Sequence, residues 1–232
     1  FTDMAYLSTL INSLYYFVGS FIQLGLALFI ATLLCSKIKL AGLFKGVIFF
    51  PYLMNGVAVA LIFQRFFRGD DGGTLNSIIA LFGADPVKWL SNGAINNWCL
   101  VFASVWRYIG FDILMFIGAI QSISPDIYEA ADLDGANAWQ RFWRVTFPLI
   151  LPAFNNAFVN SLIGGLKVFD IIVATTNGGP GVTTQVMNTM IYRSFSFNMQ
   201  GEANAGYVLL AVIVALFAVS SYSIIRKREV DL

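Results

Sequence analysis

Four charged side chains interrupt two long apolar stretches of the sequence. Arg107 and Asp112 lie in the first stretch, and Lys167 and Asp170 lie in the second. Charges in an apolar medium are costly, so they usually face one another or a water-filled cavity. On a helix, Arg107 and Asp112 would point about 140° apart. Lys167 and Asp170 would share one face and can form an ion pair. Arg107 and Lys167 lie at a similar depth, roughly 12–15 Å from the nearer ends of their stretches.

Two interpretations of these charges are open. In one, the two acids and the two bases form structural ion pairs between helices. In the other, some of them line the path of a polar solute. Tyr108 and Phe111 would then stack on an apolar face of the solute, and the side chains of Asn160 and Ser161 would form hydrogen bonds with its hydroxyl groups.

The composition indicates that these charges belong to a membrane protein. Of the 232 residues, 58% are hydrophobic and 12% are charged, and the mean hydropathy is +0.73. Soluble domains have about 45–50% apolar and about 25% charged residues. This chain therefore has too little charge to cover a water-facing surface. The same numbers exclude a disordered chain, a basic nucleic-acid-binding face and a disulfide-rich scaffold.

Long gaps between the charges divide the chain into membrane spans. A spanning helix needs about 20 mostly apolar residues, and continuous apolar runs favour helices over barrel strands, in which apolar residues alternate. The sequence therefore predicts an all-α membrane protein, a polytopic helical bundle that forms one transmembrane domain over residues 1–232. Five spans are predicted, at residues 9–35, 46–66, 97–121, 148–175 and 204–225.

The distribution of Lys and Arg predicts the orientation of the bundle, because cytoplasmic loops are enriched in these residues. Eight lie on one side of the predicted bundle: Lys37, Lys39, Lys45, Arg141, Arg144, Arg226, Lys227 and Arg228. Four lie on the other: Arg65, Arg68, Lys88 and Arg193. The first side is predicted to be cytoplasmic, with the C-terminus inside and Phe1 outside. Because an outside start on five spans is awkward, we expect at least one preceding span to be missing from this chain.

The predicted cytoplasmic segment 122–147 begins with a short helix. Ser124 is a good N-cap, Pro125 suits the first helical position and Asp126 complements the positive end of the helix dipole. Gly135 is expected to end this helix, because glycine adopts the backbone conformation that commonly follows a helix C-terminus. The segment therefore predicts a helix, a sharp bend and a second helical piece.

The second helical piece is predicted to carry an aromatic face and to end before Pro148. Trp139, Phe142 and Trp143 lie on that face. Three large aromatic side chains on a water-facing loop typically mark a binding surface for a protein partner. The alternative is a helix that lies in the lipid interface, where Trp and Arg are well accommodated.

The same segment resembles the EAA loop in the permease subunits of binding-protein-dependent ABC importers. Glu129-Ala130-Ala131 is followed after three residues by Gly135 and, nine residues later, by Val145-Thr-Phe-Pro148. The family pattern has Ile and Leu where this chain has Val145 and Phe147, which are conservative departures. The resemblance continues in Phe49-Phe-Pro-Tyr-Leu, Val105-Trp-Arg, Gln121-Ser-Ile, Lys167-Val-Phe-Asp170 and Asn177-Gly-Gly-Pro-Gly181. Together these motifs are similar to the carbohydrate-uptake branch, with its maltose, glycerol-phosphate and multiple-sugar permeases.

The resemblance implies a type I ABC importer permease in a bacterial inner membrane, with the first family span absent. In the family, the loop forms a coupling helix that docks into a cleft on a separate ATPase subunit. That subunit binds ATP and Mg²⁺, and this chain has no GxxxxGK[ST] phosphate loop. The chain is therefore expected to be no enzyme and to hold no cofactor. The implied coupling residues are Glu129, Ala130, Ala131, Asp134, Gly135, Trp139, Phe142 and Trp143.

The resemblance also implies partners on the membrane and on its outer side. These are a second related permease, an extracytoplasmic solute-binding protein, membrane lipid and a sugar or oligosaccharide substrate, with no nucleic acid. The positions that face the cavity in the family fall here on Ser104, Tyr108, Phe111, Ser161 and Gly165. With the polar groups named above, the candidate substrate path comprises Ser104, Arg107, Tyr108, Phe111, Asp112, Asn160, Ser161, Gly165, Lys167 and Asp170.

Two other classes of function are considered. A free-standing secondary transporter or channel with a cytoplasmic amphipathic interface helix would need its own coupling-ion site and no docking helix. Copurification with an ATPase distinguishes it from an ABC importer. A membrane enzyme is disfavoured, because the sequence has no His and no convincing pair of nucleophile and base.

Overall fold

The computed structural model describes residues 4–35 and 41–226, and every regular element within these two ranges is helical. The α-helices are α1 (Met4–Cys35), α2 (Ala41–Leu53), α3 (Gly56–Phe66), α4 (Thr74–Ala80), α5 (Asn96–Gln121), α6 (Pro125–Leu133), α7 (Ala138–Arg141), α8 (Phe147–Leu149), α9 (Leu151–Leu166), α10 (Asp170–Thr175), α11 (Met187–Ser196) and α12 (Gln200–Arg226). A π-helical turn over Phe142–Thr146 joins α7 to α8. Four of the eight basic residues used to predict the orientation, Lys37, Lys39, Lys227 and Arg228, lie outside the described residues.

Four of the five predicted spans correspond to helical segments that are long and apolar enough to cross a membrane. They are Tyr6–Cys35, Asn96–Gln121, Leu151–Thr175 and Gln200–Ser223. Over the described ranges, the fifth candidate is the pair of helices α2 and α3, which are bent by 98° at a short break. The prediction of an all-α, multi-pass membrane protein is therefore confirmed, with four spans or, if the bent pair counts as one, five.

The span predicted over 46–66 corresponds to the two helices α2 and α3, because the chain breaks near the middle of this range. Pro51 lies inside α2 and supplies no backbone N–H to the helical hydrogen-bond ladder. The Met54 N–H bonds to the Pro51 carbonyl oxygen over 3.2 Å. The Asn55 side chain then caps α3 by accepting the Val57 N–H over 2.9 Å. Such a cap starts a new helix instead of continuing the old one, so the chain turns sharply here.

The span predicted over 148–175 is also interrupted. Helix α9 ends at Leu166, and residues 167–169 connect it to the short helix α10. The Ile171 N–H donates to the side chain of Asp170 over 3.0 Å. Irregular backbone at membrane depth is tolerated where it lines a cavity or is buried in protein. We therefore expect this break to lie beside a cavity or within the protein interior.

Helices α1 and α5 form the centre of the bundle, and α2 and α9 pack on them. One core cluster, which includes Leu24 and Phe116, joins the C-terminal halves of α1 and α5 to α9. A second cluster, which includes Val59 and Leu100, joins their N-terminal halves to α3 and α10. A third, smaller cluster lies between α11 and α12. The central pair thus holds both broken spans against one another.

Candidate functional site

A cavity of about 600 Å³ lies between α1, α5 and α9, beside the break that separates α9 from α10. Because five helices (α1, α2, α5, α9 and α10) and an irregular segment contribute to it, its walls combine apolar, aromatic and polar side chains. Its lining residues are Tyr16, Gly19, Ser20, Gln23, Tyr52, Val101, Ser104, Val105, Tyr108, Phe111, Asp112, Asn160, Ser161, Gly164, Gly165, Lys167, Val168, Phe169 and Asp170.

The structure brings nine of the ten predicted substrate-path residues to this cavity. These are Ser104, Tyr108, Phe111, Asp112, Asn160, Ser161, Gly165, Lys167 and Asp170. The tenth, Arg107, lies directly behind the lining, with 13% of its side chain exposed. Its guanidinium carbon lies 4.9 Å from the centroid of the Tyr108 ring, close enough for a cation–π contact. Residues far apart in the sequence thus meet at one site.

Three aromatic rings form one wall of the cavity. Tyr52 stacks on Phe111 with ring centroids 5.1 Å apart and planes 25° apart. Tyr108 meets Tyr52 edge-on, with centroids 6.2 Å apart. Tyr108 and Phe111 are each 36% exposed, so part of each ring is open to the cavity. Such rings offer a rigid apolar surface on which an apolar face of a ligand can stack.

Asp112, one of the two acids in the cavity lining, is held by a neutral partner. Asp112 is 2% exposed, and Gln23 donates from Nε2 to its Oδ2 over 2.6 Å. Ser20 donates to the backbone oxygen of Ser161 over 3.0 Å, which ties α1 to α9 at this level. Asn160 and Ser161 add an amide and a hydroxyl group to the lining. Hydrogen-bonding groups therefore accompany the aromatic wall.

Arg107 is the ion-pair partner of Asp170. Its Nη1 lies 2.5 Å from Oδ2 of Asp170. The pair expected between Lys167 and Asp170 on one helical face is wrong, because Lys167 belongs to the break that precedes α10. Over the part of the chain that the structure describes, Lys167 forms no ion pair, and its backbone oxygen accepts a hydrogen bond from Asn188 over 2.8 Å. The interpretation as an interhelical ion pair is therefore confirmed for one acid and one base.

The segment 122–147 folds as two helical pieces separated by Gly135, as predicted. Ser124 caps α6 by accepting the Asp126 N–H over 3.4 Å. Gly135 has a φ of +75°, in the left-handed region that favours glycine. A Cβ at this position would meet open space. The requirement for glycine therefore comes from the backbone conformation and not from crowding.

The second helical piece continues beyond its predicted end. Helix α7 passes through the π-helical turn into α8, so helical backbone extends past Pro148. Pro148 lies in the first turn of α8, where a missing backbone N–H is tolerated. The side chains of Asn137 and Gln140 cap the start of α7 reciprocally, over 2.9 and 3.0 Å. The termination predicted before Pro148 is therefore wrong.

The predicted coupling residues are divided between the surface and the core. The exposed ones are Glu129, Ala130, Asp134, Gly135, Trp139 and Trp143. Trp139 is 71% exposed and Trp143 is 46% exposed, and their rings meet with centroids 5.5 Å apart. Phe142 instead packs on the core cluster of the C-terminal halves of α1 and α5, and Ala131 is buried. The aromatic face thus both anchors the loop and leaves two Trp rings on the surface.

The family model for "Binding-protein-dependent transport system inner membrane component" matches residues 23–228. The chain belongs to this family. The osmoprotective compounds uptake permease protein GgtC of Synechocystis sp. is 30% identical over 237 residues, which cover 99% of this chain and 84% of that protein. The multiple sugar-binding transport system permease protein MsmF of Streptococcus mutans is 33% identical over 223 residues, which cover 96% and 75%.

The structural comparison agrees with this membership. A crystal structure of a bacterial ABC transporter involved in the import of the acidic polysaccharide alginate matches with a TM-score of 0.88 at 23% identity. The match covers 97% of this chain and 80% of that one, and it shows that the fold is shared. The resemblance to ABC importer permeases of the carbohydrate-uptake branch is thereby confirmed.

Sequence reasoning missed the contribution of α1 and α2 to the cavity of this permease. Tyr16, Gly19, Ser20 and Gln23 of α1 and Tyr52 of α2 line it beside the predicted residues. One signal was available, because Ser20 and Gln23 are three residues apart and share a face of an otherwise apolar span. Tyr52 carried no comparable signal, since its position depends on the bend that follows α2.

Proposed function

We propose that this permease forms the membrane path for a sugar or an oligosaccharide. The observation that carries the proposal is the cavity, in which an aromatic wall of Tyr52, Tyr108 and Phe111 accompanies hydrogen-bonding side chains such as Asn160 and Ser161. A sugar has apolar C–H faces and hydroxyl groups that both donate and accept hydrogen bonds. Aromatic rings suit the first kind of surface, and amides and hydroxyls suit the second.

Transport is driven by ATP hydrolysis on separate subunits that dock on residues 122–147, which we call the coupling segment. Support comes from the exposed rings of Trp139 and Trp143, a surface typical of a protein interface. Glu129, which is also exposed, can pair with a basic residue of the ATPase. ATP and Mg²⁺ are bound by that partner and not by this chain. Docking from the cytoplasm places the C-terminus of the permease inside the cell.

The loop is connected so that its motion is transmitted to the membrane spans. Asp132 of α6 and Arg141 of α7 form an ion pair at 2.8 Å across the bend at Gly135. Helix α6 follows directly on α5, and the second helical piece leads into α9. A displacement of the loop by the ATPase therefore also moves α5 and α9, the two helices that supply most of the residues lining the cavity.

Two further partners complete the importer, a second related permease and an extracytoplasmic solute-binding protein. Support for the second permease comes from the outer face of α12, where 11% of the spanning window is buried within this chain. The exposed apolar side chains of this face include Val208, Val212, Leu216 and Val219. Such a face suits packing against another helix or lipid within a membrane.

Uptake by the reconstituted importer tests the proposal. The permease is coexpressed with its ATPase, second permease and binding protein, and uptake of labelled neutral mono- and oligosaccharides into proteoliposomes is measured with and without ATP. We expect ATP-dependent uptake of at least one saccharide, which Glu129→Lys abolishes without affecting membrane insertion. An absence of any copurifying ATPase, or uptake that needs no ATP, would contradict the proposal and favour a free-standing transporter or channel.

A further inference from the structure

The four charged side chains at the cavity are not all paired with one another. Asp112, Lys167 and Asp170 belong to the lining, and its neighbour Arg107 lies directly behind it. Of these four, only Arg107 and Asp170 form an ion pair over the part of the chain that the structure describes. One base, Lys167, and one acid, Asp112, therefore lie outside the pair.

The carboxyl group of Asp112 has its partner inside the protein. Asp112 is 2% exposed, and Gln23 donates to its Oδ2 over 2.6 Å. A hydrogen bond of this kind holds a buried acid without a cation. Asp112 also lies five residues beyond Arg107 along α5, which is about 7.5 Å at 1.5 Å per residue. It therefore does not neutralise Lys167 by direct contact.

The other three charges gather at the break between α9 and α10. Lys167 belongs to the break, Asp170 follows it as the first residue of α10, and Arg107 bonds to Asp170 from α5. Two bases and one acid give this side of the cavity a net charge of +1. Lys167 carries that charge, because the carboxylate of Asp170 already lies 2.5 Å from Nη1 of Arg107.

Lys167 is available to a solute. It is exposed and lines the cavity, and within residues 4–35 and 41–226 it has no ion-pair partner. The side chain of Asn188 donates to its backbone oxygen over 2.8 Å, which holds the backbone of the break and leaves the ammonium group unused. A cation in a cavity with apolar walls attracts anions that enter the cavity.

The aromatic wall lies beside these charges. The guanidinium carbon of Arg107 lies 4.9 Å from the centroid of the Tyr108 ring, and the same guanidinium group bonds to Asp170. A sugar ring stacked on Tyr108 therefore lies next to the break that contains Lys167. Because Lys has a flexible four-carbon stem, its ammonium group can follow a charged substituent on that ring.

We propose that the cavity selects a saccharide that carries a carboxylate, and that Lys167 binds this group. The inference rests on the proposed function of the cavity as a saccharide path, and it names the class of saccharide. A carboxylate matches the single positive charge, whereas a phosphate ester carries about −1.5 to −2 at neutral pH and would leave an excess of negative charge. A uronic acid has such a carboxylate and keeps the apolar C–H face that stacks on an aromatic ring.

Uptake of matched saccharides tests this selectivity. The importer is reconstituted with ATP and its binding protein, and labelled disaccharides of glucose, galactose and mannose are compared with the disaccharides of the corresponding uronates and with their phosphate esters. For at least one pair, we expect the uronate to have a KM at least about tenfold below that of the neutral disaccharide, since charge-assisted hydrogen bonds are about twice as strong as neutral ones. Lys167→Gln should reduce this preference to less than about threefold.

Matched variants separate recognition of the carboxylate from other effects of the substitution. Lys167→Arg keeps the positive charge and should keep the preference. Lys167→Glu should invert it, because two carboxylates repel each other. Lys88→Gln removes the same charge from an exposed position between α4 and α5 and should keep the preference, since water and salt screen a charge there. One binding protein serves every variant, so its own preference cancels in the comparison with the parent.

An equal rise in KM for both members of a pair in Lys167→Gln would overturn the inference, since the ammonium group would then serve neutral hydroxyls equally well. A parent importer that prefers the neutral disaccharides or the phosphate esters would also overturn it. In each of these cases the cavity would still be a saccharide path. A parent that takes up none of these saccharides with ATP would instead contradict the proposed function, so the two failures are distinguishable.

Discussion

Two Arg–Asp ion pairs of the permease lie in very different environments. Arg107 and Asp170 meet at 2.5 Å beside the cavity, with 13% and 35% of their side chains exposed. Arg141 and Asp132 meet at 2.8 Å in the coupling segment, with 39% and 56% exposed. Water and salt screen the second pair, whose contribution to stability is at most about 1 kcal/mol. Removal of one member of the first pair leaves a charge that only the cavity can solvate.

The difference shows how each region keeps its shape. At the cavity, an ion pair joins helices that are far apart in the sequence, and an apolar cluster packs the same helices together. In the coupling segment, the bend comes from the left-handed backbone of Gly135, and the caps at Ser124 and Asn137 define where the helices begin. The exposed ion pair there adds little to what the backbone already specifies.

The largest expected effect comes from Arg107→Ala. The substitution leaves Asp170 without its positive partner and should destabilise the assembled permease by about 1–3 kcal/mol, a range reduced by the access of water to Asp170 from the cavity. Thermal unfolding of the purified importer measures the change. The double variant Arg107→Ala with Asp170→Ala should lose less than the sum of the two single variants. Additive losses would mean that the two side chains are not coupled.

Gly135→Pro should have the next largest effect, and it acts on transport. Proline cannot adopt the φ of +75° found here, so the two helical pieces can no longer meet at the native angle. Uptake should fall to less than about a tenth of that of the parent, since misplaced groups cost at least that factor. Membrane insertion should remain normal.

Gly135→Asn is the control for that substitution, because Asn tolerates the left-handed region better than other side chains. It should retain most of the uptake. Equal losses in both variants would show that the glycine is needed for a contact with the partner instead of for its backbone conformation.

Tyr108→Ala should have a smaller effect, which concerns the substrate. Loss of an aromatic contact in the cavity should raise the KM for uptake about three- to tenfold, since such contacts contribute about 0.5–1.5 kcal/mol beyond area burial. Tyr108→Phe keeps the ring and should behave like the parent. A KM that Tyr108→Ala leaves unchanged would place the substrate away from the aromatic wall.

The smallest expected effect comes from Asp132→Ala, which removes the exposed pair. Its cost should be no more than about 1 kcal/mol and should shrink further at high salt. The measurement is the thermal unfolding of the purified importer at two salt concentrations, beside Arg107→Ala. A loss as large as that of Arg107→Ala would remove the contrast between the two regions.

Much of the candidate site could be predicted from local patterns. The cap at Ser124 and the break at Gly135 depend on a few neighbouring residues, so the helix–bend–helix of the coupling segment was visible in the sequence. The cavity was visible because charged and polar side chains in α5 and α9 had no other favourable place in a membrane. The contribution of Ser20 and Gln23 was less visible, since two neutral polar residues in a span carry a weak signal.

The sequence by itself determined the membrane class, the family and the helix–bend–helix of residues 122–147, because composition, apolar run length, caps and motif spacing can be read directly from the chain. Tertiary structure alone decided that Asp170 pairs with Arg107 instead of Lys167, and that two spans break beside that pair. These outcomes depend on which helices lie side by side, and a charge finds its partner across a helix contact that no sequence spacing encodes.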